Sequence, residues 1–92
     1  MKTEDLANIF KLLGDESRLK IVFILFKNNS LNASDLLKRL NVEQPTLSHH
    51  MRLLLSYKIV TSKREGKFMY YSLNKDLMNY LPFVLKEGEV NY

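Results

Sequence analysis

The chain has no cysteine and no tryptophan, only three glycines and two prolines, and no apolar run longer than the six residues Ile21–Phe26. Each shortage excludes something. Without cysteine there can be no disulfide, no thiolate metal site and no thiol-based redox sensing. Three glycines set far apart do not make a phosphate-cradling loop. A six-residue apolar run falls well short of the roughly 20 residues that a membrane-spanning helix needs. The acidic, amphipathic N-terminus does not have the form of a secretory signal. The expectation from these shortages is a cytoplasmic protein.

What is present fits one small domain, residues 1–92, with a single core. Hydrophobic residues make up 46% of the chain and charged ones 26%, a balance for an ordered globular fold rather than disorder. A chain this short buries only a modest core, so apolar residues near both ends point to dimerisation as the remedy. The net charge of +4 and pI of about 9.4 favour a polyanionic partner, though only weakly. Where the charge sits is more telling than its sum.

Residues 4–13 carry Leu6, Ile9, Phe10 and Leu13 at helical spacing, ending at Gly14. Asp15 is a good N-cap for a second helix, DESRLKIVFILFK, which is apolar almost all round and so is expected at the centre. Asn32 can cap a short third helix, with Asp35 three residues on as an imperfect capping box and Leu36, Leu37 and Leu40 as its buried stripe. After a tight turn at Asn41 and Val42, Pro45 suits the first turn of a fourth helix. Two short helices so closely joined form a helix-turn-helix. Beyond Lys58 the period changes to two. Ile59 and Val60 begin a strand, and Phe68, Tyr70 and Leu73 lie in a return strand, with Gly66 in the turn KREGK. Leu77, Met78, Leu81, Val84 and Leu85 then recur at helical spacing, interrupted by Pro82. The fold class expected is mainly α with a small β-hairpin: a winged helix-turn-helix.

On a helical wheel of the fourth helix, Leu47, Met51, Leu54 and Leu55 form the inward side. The outer side holds Ser48, His49, Arg52 and Ser56, with Gln44 and Thr46 in the first turn and no acid among them. Major-groove base edges call for this inventory of short hydrogen-bonding groups and an arginine. A solvated helix face is also polar; the absence of acids and the hairpin that follows favour DNA. At the hairpin tip Lys63, Arg64 and Lys67 suit backbone phosphates or an adjacent minor groove, although charge also keeps such tips soluble. Tyr70 and Tyr71 point to opposite faces of their strand, one towards the core; Tyr70 is assigned to the DNA side. The neighbours His49 and His50 diverge on a helix, and no third ligand accompanies them, so no metal site is expected; His49 faces DNA and His50 packs on the helix flank. Ser48 beside His49 is no catalytic pair for the same geometric reason, so no enzyme activity and no cofactor are expected.

The stretches LLGDESRLKIVFIL, LNASDLLKRLNVEQPTLSHHMRLLLSYKIV and SKREGKFMYYSL together resemble the ArsR/SmtB family of bacterial winged-helix repressors. The resemblance covers nearly the whole chain. It implies five helices and a two-stranded wing. It also implies a homodimer through the terminal helices, here around Leu6, Ile9 and Phe10 and around Leu77, Leu81, Val84 and Leu85. Such a dimer would read an inverted-repeat operator and repress its own operon. The family's thiolate site, L-C-x-C-D-L, is matched here by LNASDL, so Asn32 and Ser34 stand where the cysteines would be. The last helix has no histidine for the family's second metal site. What remains is a non-metal inducer, a protein partner, or no inducer. The competing reading is a winged helix that docks a protein and has little DNA affinity, for which Leu53 at the edge of the core face is the one hint.

Overall fold

The computed structural model describes residues 2–80. Four helices come before the wing or flank it: α1 (Thr3–Leu13), α2 (Glu16–Asn28), α3 (Ala33–Arg39) and α4 (Gln44–Ser56). The strands are β1 (Leu31–Asn32), β2 (Val60–Glu65) and β3 (Phe68–Leu73), and α5 (Lys75–Tyr80) follows. Of the expected terminal-helix residues, Leu81, Val84 and Leu85, together with Pro82, lie outside the described residues.

Local chemistry starts and stops these elements. The Asp15 carboxylate accepts from the Arg18 N–H at 3.0 Å and caps α2. Asn32 and Asp35 form a full capping box at α3: the Asp35 N–H donates to Asn32 Oδ1 at 2.9 Å, and the Asn32 N–H donates back to Asp35 Oδ2 at 3.4 Å. The box is therefore complete with Asp in the third position, where Glu or Gln is the usual choice. Pro45 sits in the first turn of α4, where a missing N–H is harmless. α4 ends when the Ile59 N–H reaches back to the Leu54 carbonyl and the Lys58 N–H to the Leu55 carbonyl, both at 3.0 Å. That pair of bonds is a Schellman closure.

The sheet has three strands in the order β1-β3-β2, all antiparallel, where a two-stranded wing was expected. Leu31 and Asn32 pair with Tyr71 and Tyr70. Two residues carry no alternation that a sequence could display, and the pairing is made by backbone groups on the free edge of β3. It fastens the start of α3 to the wing.

Ile21, Val22, Leu25, Leu36, Leu47, Leu54, Ile59 and Val60 are fully buried and join α2, α3, α4 and the base of β2 in one core. α2 is central, as its all-round apolarity predicts, with Leu19, Phe23 and Phe26 partly buried around it. In α1, Ile9, Leu12 and Leu13 face inward, Leu6 is half-buried and Phe10 is exposed. Ile9 and Leu77, expected at a subunit interface, are thus buried within the protomer's own core. Helical periodicity marks apolar faces without saying which apolar face meets which partner.

Candidate nucleic-acid interface

Helices α3 and α4 are joined by only residues 40–43, and α4 leads through residues 57–59 directly into the wing. Leu47, Met51 and Leu54 anchor α4 in the core, while Leu55 is only half-buried. The opposite face is open: Gln44, Thr46, Ser48, His49 and Arg52 are all exposed. The Glu43 side chain makes no cap at the start of the helix. The N-terminal turn therefore presents backbone N–H groups and the positive end of the helix dipole beside those side chains, an arrangement suited to phosphate.

The wing register places its cations. Val60 pairs with Leu73, Ser62 with Tyr71 and Arg64 with Met69, so these residues share the face whose base is in the core. Tyr71 packs against that core. Lys63 pairs with Tyr70 and Glu65 with Phe68 on the outer face. The two tyrosines thus divide as their alternation requires, and Tyr70 shares its face with Lys63. Lys63, Arg64 and Lys67 are exposed, and Tyr70 is half-buried. Gly66 turns the hairpin at φ 61°, with open space where a Cβ would stand, so the backbone angle is what calls for glycine there. Among the described residues, no ion pair engages Arg52, Lys63, Arg64 or Lys67. Exposed cations left unneutralised are what a polyanion requires.

His50 packs against the protein as expected, and it does so through polar partners that the sequence did not show. It is 8% exposed and belongs to the buried side of α4. Its Nδ1 lies 3.2 Å from the Arg18 guanidinium, and its Nε2 lies 3.9 Å from Asp15 Oδ2. Burial pulls its pKa below the usual histidine value; Asp15 pulls the other way, while Arg18 and His49 add to the lowering. Asp15 is itself held below the usual carboxylate value, chiefly by the hydrogen bond from the Arg18 N–H. Sequence reading missed Arg18 and took His50 for a flank residue. The spacing of Asp15 and Arg18 at one helix start was visible, but that α4 delivers a ring to them is a tertiary fact.

A groove of about 590 Å³ lies elsewhere, between α1, the end of α4 and α5, lined by Asp5, Ile9, Tyr57, Lys58, Asp76 and Leu77 among others.

Residues 15–62 match the model of the family described as bacterial regulatory protein, arsR family. The chain is 33% identical over 86 residues to the transcriptional repressor SdpR of Bacillus subtilis, covering 89% of this chain and 94% of that one. It is 40% identical over 81 residues to the arsenical resistance operon repressor of Staphylococcus xylosus, covering 88% of this chain and 77% of that one. The crystal structure of the transcriptional repressor PagR of Bacillus anthracis superposes with a TM-score of 0.74 at 31% identity, covering 95% of this chain and 92% of that one. By this match and these relatives, the chain belongs to the ArsR family of bacterial regulatory proteins and is a DNA-binding transcriptional regulator.

Proposed function

We propose that the protein is a homodimeric repressor that binds an inverted-repeat operator, with Gln44, Thr46, Ser48, His49 and Arg52 addressing base edges or nearby phosphates. Lys63, Arg64, Lys67 and Tyr70 hold the backbone or the adjacent minor groove. The observation that carries this reading is the exposed, acid-free face of α4, followed in the chain, after residues 57–59, by wing cations that no acid engages among the described residues. The names of the relatives, repressors in each case quoted above, support repression over activation. A two-fold dimer places two recognition helices about one DNA turn, or a multiple of it, apart.

Any signal that lifts repression, whether a non-metal ligand or a protein partner, is not read by a thiolate centre in this chain. The chain holds no cysteine, and Asn32, at one of the matching positions, serves as the cap of α3. Arsenite, cadmium and lead are accordingly disfavoured as inducers, although a similar protein is named for arsenical resistance.

The base-reading assignment is tested with Ser48→Ala and His49→Ala against an operator selected from a random duplex pool. Each should reduce the specific-to-random affinity ratio by about tenfold, in line with ~1–3 kcal/mol for a good base contact, and leave random-duplex binding nearly unchanged. Equal losses on both duplexes would remove these side chains from base readout.

A further inference from the structure

The recognition helix sends one titratable ring into the protein, His50. A guanidinium carries only N–H donors, so at 3.2 Å the His50 Nδ1 must be the acceptor. The ring is then neutral, with its proton on Nε2. Asp15 Oδ2, at 3.9 Å from Nε2, is too far for a hydrogen bond and acts through its charge alone. Arg18 is itself fixed. Its Nε donates to the Leu12 carbonyl at 2.7 Å, and its backbone N–H donates to Asp15. One side chain therefore ties the end of α1 and the start of α2 to the middle of α4.

Leu47, Met51 and Leu54 hold α4 against the core by apolar packing, which has little directional preference. The Arg18–His50 bond is directional. Side-chain tips on a helix lie about 5–6 Å from its axis, so a rotation of roughly 20° displaces them by about 2 Å. A displacement of that size takes a hydrogen bond to a base edge out of range. Ser48 and His49 are the immediate neighbours of His50 and turn with it.

We propose that Arg18 is a positioning residue for operator selection. Acting through His50 Nδ1, it fixes the rotation of α4, and a proton on Nδ1 undoes it. Protonated His50 would set an N–H donor against the guanidinium, two cations within 3.2 Å, and the bond would be lost. The charged or titratable groups acting on the ring are Asp15 at the N-cap of α2, Arg18 in its first turn and His49 from α4 itself. Only Asp15 favours the proton, and burial outweighs it, so the contact is made at neutral pH and is lost only as the pH falls below the ordinary histidine range. This inference rests on the sequence-reading role given to α4 under the proposed function.

The test is the ratio of specific to random duplex affinity, measured by anisotropy on the full chain at constant ionic strength from about pH 8 down to about pH 4.5, a range that reaches below the ordinary histidine pKa because burial lowers that of His50. The proteins are wild type, Arg18→Met and His50→Gln, each checked by thermal melting. The Gln amide oxygen can accept from Arg18 but does not titrate. The wild-type ratio should fall by about tenfold or more towards acid, the scale of one lost charge-assisted hydrogen bond. His50→Gln should keep its ratio across the range, and Arg18→Met should show the lowered ratio already at neutral pH. His50→Gln keeps every other titratable group, so it is the reference for pH effects that do not pass through His50. A His50→Gln profile that follows wild type would overturn the proposal, as would an Arg18→Met protein with an intact ratio. If Arg18→Met fails to fold, the comparison of His50→Gln with wild type still decides. A wild type that is selective at neutral pH with a flat profile sinks this inference alone. A wild type with no selectivity at any pH sinks the repressor reading and this inference with it.

Discussion

Lys58 closes α4 with its backbone in the left-handed region, φ 60°, at the position of a Schellman motif that glycine normally fills. A side chain there works against the backbone by about 1–2 kcal/mol. Glycine would relieve that strain but would enlarge the freedom of the unfolded chain, an effect of about 0.4–1 kcal/mol. Lys58→Gly is therefore expected to stabilise the protein by about 0.5–1 kcal/mol net. By the scaling for a domain of this size this is a rise in Tm of roughly 2–8 °C, read by calorimetry at matched protein concentration. A lowered Tm would mean that the Lys58 side chain, which lines the groove beside Tyr57 and Asp76, contributes more than its backbone angle loses. At this scale much was legible in the chain. The Asp15 and Asn32 caps, Pro45 and the Gly66 turn each announce themselves through a local hydrogen bond or dihedral. Lys58 did not, because nothing in its own chemistry asks for φ > 0. His50 did not either, because its partner is 32 residues away.

The elements themselves followed from periodicity: five helices and the hairpin begin where apolar spacing put them. β1 was the exception, since two residues pairing through the backbone leave no pattern in side chains. The wing is the element whose role is most directly separable from the rest. Its cations stand away from the core and are exposed, so removing them should not disturb folding. In a dimer, Arg64→Ala with Lys67→Ala removes four positive charges. Each phosphate contact contributes about −0.9 to the slope of log K against log salt, so the slope should become shallower by roughly 2–4, with affinity lost on specific and random duplexes alike. An unchanged slope would place the wing away from DNA and leave its charge as a device for solubility.

For the whole molecule, the core is self-sufficient at α1 in a way that spacing alone did not reveal. Ile9 and Leu77 are taken up inside the protomer, and the outward side of α1 is left with Phe10, which is 48% exposed, and the half-buried Leu6. If the dimer forms through this face, Phe10→Glu should leave the protomer folded while placing a carboxylate twice in an isologous interface. Burying an unpaired carboxylate costs several kcal/mol. The dimerisation constant should weaken by about a hundredfold or more, seen as a shift to monomer in sedimentation velocity. Unchanged dimers would move the interface off α1. The family's fold was legible over nearly the whole chain because helix-turn-helix and wing are built from local signals. The assembly was not, because an apolar face looks the same in a sequence whether it meets its own core or a second copy.

The most direct test of the whole account is fluorescence-anisotropy binding of the wild-type protein to duplex DNA from upstream of its own gene and to random duplex, across a salt series. The account predicts dimeric binding that is tighter on the upstream duplex by about a thousandfold or more, the lower range for specific regulators, and that falls steeply with salt on both. Weak binding of equal strength on the two duplexes would contradict it, reducing the wing to a basic surface and α4 to a solvated helix.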